Sequence, residues 1–535
     1  MRYSVNVRYL INTSDYVFVQ DADMKLITTI RERNMLGVDV RESFVRSYNT
    51  AYAAHILGYV GLMNDDEYEK YSALGYAGDA KVGKDGIEYA FEKYLHGTDG
   101  QVKNTIAADG TVISREYTKE PQPGNNIYLT LDIAIQEAAE RALANTIADL
   151  RFSRGYDAEG NPLPEDELNE DQLEYLESKD EKLDDEITGA GVVVVNVKTG
   201  EPLAIASSPT YDASTILESY SELLAAKNSP LFNRALMGSY APGSTFKPCA
   251  AITALSEKAI STATRLECAG VYDKYAADGY TPQCWIYAEG LTHGFDTVTE
   301  ALRDSCNCFF YEVGHRVGID KLSKYAKDFG LGEHTGIELY EETGNMSKKS
   351  NHSQYTGTEW MVGDTLQAAI GQADSIFTPL QLAEYCACVA NNGMRHSASI
   401  LKEVRSFDYS QKIMERSDEV LSTVKSEQYN WDAVHQGMSL VAKDPDGSAY
   451  GTFRNYTAST VACKTGTAQK GEFITNDGIF MCYAPLEDPE IAVAVVIERG
   501  GSGAKCAPVG REILETYFSI KTATDITEIE GRLLK

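Results

Sequence analysis

The chain has 535 residues, 43% of them hydrophobic, which is enough to bury sizeable cores and excludes wholesale disorder. Its net charge of −30, from 49 Lys+Arg against 79 Asp+Glu, argues against a nucleic-acid partner, because phosphate-tracking surfaces are basic. Apolar runs such as Ile491–Ile497 fall far short of the ~20 residues of a bilayer-spanning helix, and residues 1–20 carry no apolar leader core.

Residues 1–123 mix short β-like and helical pieces and read as a separate N-terminal module. Within it, 101–108 and 111–117 are β-prone runs around Asp109-Gly110, a type I′ hairpin signal. The cluster Pro121-Gln122-Pro123-Gly124 closes the module. Residues 127–131 then alternate as a strand. Asp132 caps a predicted amphipathic helix over 133–147, with Ile135, Ala139, Ala142 and Leu143 on one face. From 157 to 186 fourteen acids face only Lys179 and Lys182, a pattern that reads as a solvated insertion with one exposed helix.

Two strands follow, at 192–197 and 203–206, the first apolar enough to be buried on both faces. The section 210–455 shows mainly helical patterning with loops. In it Thr378 caps a helix with Pro379 in its first turn and Asn391-Asn392-Gly393 as its stop. Strands return at 460–468, 478–484 and 491–498, a helix over 507–518 follows, and 521–535 is read as a tail. Five strands split between the two ends of one unit predict a single α+β domain over 124–520, its helical part inserted into the sheet's sequence.

A serine hydroxyl is a poor nucleophile without a base in hydrogen-bond reach. A lysine supplies that base when its ammonium is desolvated or lies near other cations. Ser-x-x-Lys at a helix N-terminus places the pair on one face and offers backbone N–H groups to a developing oxyanion. The pattern occurs as Ser244-Thr-Phe-Lys247, Ser422-Thr-Val-Lys425 and Ser502-Gly-Ala-Lys505. Only Ser244 follows a helix-starting turn, Tyr240-Ala-Pro-Gly243, and precedes an apolar helical run. Lys-Thr-Gly occurs twice: Lys198-Thr199-Gly200 falls where a hairpin must turn, whereas Lys464-Thr465-Gly466-Thr467 continues an apolar strand. Ser-x-Asn occurs as Ser47-Tyr48-Asn49, in the N-terminal module, and as Ser305-Cys306-Asn307.

The ordered set is more specific than any member. Ser244/Lys247, Ser305/Asn307 and Lys464/Thr465/Gly466, with gaps of 61 and 159 residues, form the three-motif signature of penicillin-binding proteins and serine β-lactamases. The chain resembles a class B penicillin-binding protein, a monofunctional peptidoglycan D,D-transpeptidase. Ala53-Ala54-His55-Ile56-Leu57-Gly58-Tyr59-Val60-Gly61 and Val82-Gly83-Lys84-Asp85-Gly86-Ile87-Glu88 look like its N-terminal pedestal or dimerisation module. Gly371-Gln372, Thr378-Pro379-Leu380-Gln381 and Lys464-Thr465-Gly466-Thr467-Ala468-Gln469 fit its transpeptidase domain.

The resemblance implies a penicillin-binding/serine β-lactamase-like fold: a five-stranded antiparallel sheet flanked by helices, an all-helical part, and a mixed α/β pedestal. It implies that Ser244 attacks the penultimate D-Ala carbonyl of a stem peptide with Lys247 as base. Ser305 would relay a proton to the leaving amine, and Asn307 would hold the substrate amide. Lys464, Thr465, Gly466 and Thr467 would receive the carboxylate, with the N–H groups of Ser244 and Thr467 forming the oxyanion hole. The implied partners are peptidoglycan stem peptides, β-lactam antibiotics and a membrane glycan polymerase. The implied location is the extracytoplasmic face of the bacterial membrane, held by an anchor that these residues do not supply. No metal or organic cofactor is expected.

Two other readings share the motifs: a serine β-lactamase or D,D-carboxypeptidase, and a non-catalytic β-lactam sensor. The 159-residue gap and the N-terminal module disfavour the first, and a sensor would not need the N-terminal module. The eight His form no Ser/His/Asp pattern, and the ten Cys include no Cys-x-x-Cys. Cys249, Cys306 and Cys463 adjoin motifs and read as small packing residues, while Cys268 and Cys284 bracket a Gly/Tyr-rich loop that a disulfide could close.

Overall fold

The computed structural model describes residues 19, 22–33, 35, 38, 40, 46–108 and 112–533. They divide into two compact units. One takes in the described residues up to Asn49 with Leu57–Ile127 and Val404–Met414; the other takes in Thr50–Ile56, Tyr128–Glu403 and Glu415 onward. The first unit therefore also recruits a segment from far along the chain, which the composition shift at Pro121 did not signal.

In the first unit, strands Val60–Leu62 and Lys81–Gly83 pair antiparallel. Helix Asp65–Ser72 starts from a reciprocal capping box, in which Asn64 and Glu67 each satisfy the other's backbone N–H. The predicted ribbon forms as Gln101–Ile106 against Val112–Lys119. Its Asp109-Gly110 turn lies outside the described residues.

The second unit is built on one sheet. In chain order its main elements are α1 (Ile133–Ser153), β1 (Ala190–Asn196), β2 (Pro202–Ser208), α2 (Lys247–Ser256), α3 (Val298–Arg303), α4 (Asn307–Val317), α5 (Pro379–Ala390), α6 (Gln428–Lys443), β3 (Ala462–Ala468), β4 (Asp477–Ala484), β5 (Ile491–Ile497) and α7 (Ala507–Leu533). The strand order is β3-β4-β5-β1-β2, every pair antiparallel. The central β4 and β5 are buried along their whole length, as their unbroken apolar runs require. α1 and α7 cover one face, where Ile135, Leu143, Ile147, Val509, Ile513 and Leu514 close a core over β1, β4 and β5. Each such side chain contributes roughly 1.5–3 kcal/mol by leaving water. α5 packs on the other face. Asp132 caps α1 through Ala134 and Ile135, and buried Gln136 exchanges hydrogen bonds with the backbone of Ile205 on β2.

Three expectations change. α1 runs six residues past its predicted end. α7 continues to Leu533, so 521–533 is helix and not a loose tail. The section 210–455 also contains short strands, including the hairpin Leu266–Cys268 with Gly294–Asp296 and the pair Met394–His396 with Val420–Thr423. The acidic insertion forms its expected helix, Glu170–Ser178, but is tied down. Asp185 is buried against Lys179 (2.5 Å) and Tyr175 (2.5 Å), and Arg154 donates to the Asp185 carbonyl. Asp184 exchanges backbone bonds with Phe473 and Thr475 of the β3–β4 loop. Among the described residues no helix is long and apolar enough to cross a membrane.

Candidate active site

Ser244 sits on a tight turn before α2. Gly243 has φ +52°, and a Cβ there would lie 2.5 Å from the Thr467 carbonyl oxygen and 2.9 Å from its nitrogen, so only glycine lets this loop meet the end of β3. The Gly243 N–H donates to the Gly371 carbonyl (2.8 Å), and Gln372 Nε2 donates to Thr467 O (2.9 Å). The first turn, Gly243–Phe246, is 3₁₀ and leads directly into α2. Tyr385, reaching from α5, donates to the Thr245 carbonyl and accepts from the Cys249 N–H. The nucleophile loop is thus held by β3 on one side and α5 beneath it.

Lys247 is fully buried. Its Nζ donates to Ser305 O (2.8 Å), Ser305 Oγ (3.2 Å) and Asn307 Oδ1 (2.7 Å). Among the described residues these are its hydrogen bonds; none goes to Ser244. Lys464, in the interior of β3, is also fully buried and donates to Ser305 Oγ (2.9 Å) and Thr465 O (3.2 Å). The Ser305 hydroxyl therefore lies between two amines. Burial pushes Lys247 down to about 8, and burial followed by the charge of Lys247 holds Lys464 well below the usual lysine range. A neutral amine is thereby accessible near neutral pH, which a base needs.

Ser305 has φ +52°, a conformation costing on the order of 1–3 kcal/mol outside glycine. Its carbonyl accepts from Lys247 and from Trp285 Nε1 (3.2 Å), and Trp285 also donates to Asp304 O (3.1 Å). Asn307 then opens α4.

The structure brings together Ser244, Lys247, Ser305, Asn307, Lys464, Thr465, Gly466 and Thr467. It leaves the other motif copies outside. Ser422 Oγ donates to the Asp328 carbonyl (2.6 Å), and Ser502 stands ahead of the 3₁₀ turn Gly503–Cys506 that leads into α7. Ser47 Oγ donates to Asn49 Oδ1 at 3.5 Å on the surface.

The cysteines hold what the sequence reading missed. Cys268 and Cys284 are free thiols, not a disulfide. The Sγ atoms of Cys268, Cys284 and Cys306 and a ring nitrogen of His293 all lie within 4.8 Å of one another. Three thiols and one imidazole match the closed donor set of a structural zinc site. Cys306 is the middle residue of Ser305-Cys306-Asn307, and Cys284 Sγ accepts the Asn307 N–H (3.2 Å). This cluster could hold a metal immediately behind the Ser305-Cys306-Asn307 tripeptide. Its spacings of 16, 9 and 13 residues fit no short metal motif, so only the thiol inside Ser-x-Asn hinted at it.

Residues 190–515 match the family model for the penicillin binding protein transpeptidase domain, and residues 8–129 that for the penicillin-binding protein dimerisation domain. The chain is 30% identical to the peptidoglycan D,D-transpeptidase MrdA of Escherichia coli K12, covering 92% of this chain and 74% of that one. It is 27% identical to penicillin-binding protein 2A of Bacillus subtilis, over 96% of this chain and 69% of that one. Its structure resembles that of Pseudomonas aeruginosa PBP2 in complex with WCK 5153, with TM-score 0.71, 28% identity, and coverage of 90% of this chain and 92% of that one. It also resembles a chain of a peptidoglycan synthase complex that coordinates polymerization and crosslinking, with TM-score 0.75, 26% identity, and coverage of 97% and 85%. The chain belongs to the class B penicillin-binding proteins, in their PBP2-type branch.

Proposed function

We propose that this chain is a serine peptidoglycan D,D-transpeptidase of cell-wall synthesis and cell shape, working at the extracytoplasmic face of the membrane. The observation that carries the reading is the pair of buried lysines converging on Ser305 Oγ beside the Ser244 turn. Ser244 Oγ attacks the penultimate D-Ala carbonyl of a donor stem peptide, and its proton passes to the neutral amine of Lys247. Ser305, in contact with both lysines, returns a proton to the leaving D-Ala nitrogen as the peptide bond breaks. Asn307 orients the substrate amide, and Lys464, Thr465, Gly466 and Thr467 receive the terminal carboxylate. The N–H groups of Ser244 and Thr467 stabilise the oxyanion. The acceptor stem's amine then attacks the ester, releasing Ser244 and forming the cross-link. A β-lactam enters the same step and remains as a stable acyl group.

A structure of Helicobacter pylori PBP2 with MreC, and the synthase complex above, concern related proteins. By the same logic a membrane glycan polymerase is the proposed partner here. Fluorescent penicillin should label the protein stably at one serine. Ser244→Ala should abolish the label, and Ser422→Ala and Ser502→Ala should keep it. Rapid loss of the label would point to a β-lactamase, and an adduct on Ser422 or Ser502 would overturn the site.

A further inference from the structure

Between α6 and β3 the chain makes a turn, Asp444-Pro445-Asp446-Gly447-Ser448, that no motif marks. It is tightly built. Gly447 N donates to the Asp444 carbonyl (2.8 Å), Asp446 N to Asp444 Oδ1 (3.0 Å), and Ala449 N to the Val441 carbonyl (3.1 Å). Arg303, just ahead of Ser305, reaches Asp444 at 3.5 Å while holding Asp304 at 2.6 Å, so the turn is tied to the catalytic tripeptide. The turn's last side chain, Ser448, is exposed, and its Oγ lies 2.6 Å from Thr465 Oγ1, the hydroxyl beside Lys464. Two hydroxyls in mutual contact share one of their two hydrogens and leave the other free to donate. Beside the buried amine of Lys464, that free hydrogen is placed to meet an anionic acceptor.

We propose that Ser448 is a positioning residue for the donor's carboxylate: it pairs with Thr465 so that the unshared hydroxyl hydrogen of the pair is directed to that anion. The inference rests on the transpeptidase reading. It concerns the recognised anion and not the acyl chemistry, so a substrate lacking the charge should not notice the loss of Ser448. A turn that merely supports β3 would affect all substrates alike.

The test compares acylation by benzylpenicillin with acylation by its methyl ester. Ser448→Ala should slow the acid by roughly 5- to 30-fold, the span of one hydrogen bond to a charged group, and leave the ester within about twofold. Ser448→Thr, which keeps the hydroxyl, should restore the acid's rate. Equal slowing of acid and ester, an unchanged acid rate, or no rescue by threonine overturns the assignment. A single adduct on Ser244 in Ser448→Ala, seen by mass spectrometry, leaves the transpeptidase reading standing whichever way Ser448 falls. No adduct in the unaltered protein overturns both.

Discussion

Lys-Thr-Gly occurs at 198–200 and at 464–466, and the two copies occupy opposite surroundings. Lys198 stands at the β1–β2 turn, about half exposed, with its ammonium 2.8 Å from the still more exposed Asp488. Gly200 has φ +68°, the left-handed conformation that lets the hairpin close. Lys464 lies within a strand, fully buried, bonded to the hydroxyl of Ser305. One lysine is solvated and keeps its proton, while the other is stripped of water and held beside a second amine. The same three letters make a turn in one place and a buried strand carrying an amine on Ser305 in the other. Burial and neighbours decide which.

The largest effect should come from Lys464→Met. It removes a preorganised donor on Ser305 and should lower penicillin acylation by on the order of 10²–10³, with no loss of Tm because an apolar chain replaces a buried polar amine. An acylation rate within twofold of the unaltered protein would erase the distinction between the two copies. The pH profile tests the other buried amine. Lys247, brought down to about 8 by burial, acts as base only after losing its proton. The acylation rate should therefore rise with pH and level off above about 8; about two pH units below that midpoint, the active fraction is roughly a hundredth. A flat profile between pH 6 and 9 would deny Lys247 the role of base.

Much of this was legible in the residues. The five strands, the Asp132 cap and the Thr378–Pro379 helix start follow from apolar alternation and local capping chemistry, which act over a few residues. That the three motifs meet was legible because each carries a local setting. What stayed hidden depends on contacts between distant segments. Ser448 touches Thr465 only because the α6–β3 connection folds back. The acidic insertion looked solvated because Lys179 is outnumbered by acids and Arg154, which also holds Asp185, comes from the end of α1. Cys268, Cys284, His293 and Cys306 meet because a hairpin and the start of α4 converge, and pairwise spacing cannot report that.

The thiol cluster sharpens the comparison, since the Lys464 copy works on a tripeptide held from behind and the Lys198 copy has no such support. As a closed four-ligand site it should carry about one zinc per chain. Cys284→Ser should release that zinc, lower Tm, and cut acylation by roughly 10–100-fold through the loosened Asn307 N–H and Ser305. Loss of the zinc with unchanged acylation would show that the Ser305-Cys306-Asn307 tripeptide stands without it, and zinc retained in full would remove Cys284 from the ligand set.

The smallest effect is expected at Lys198, and its smallness carries the argument. An exposed ion pair such as Lys198–Asp488 contributes about 0–1 kcal/mol, because water solvates both groups nearly as well apart as together. Lys198→Ala should therefore leave Tm within about a degree or two and penicillin acylation unchanged. The substitution leaves Gly200 to make the turn, and Asn196 and Thr199 keep their bonds to the hairpin backbone and Glu201. If acylation fell instead, the β1–β2 turn would have to communicate with a cleft at the far edge of the sheet, four strands away in the order β3-β4-β5-β1-β2. The copies would then differ in degree and not in kind, and burial alone would no longer separate a turn from a catalytic strand.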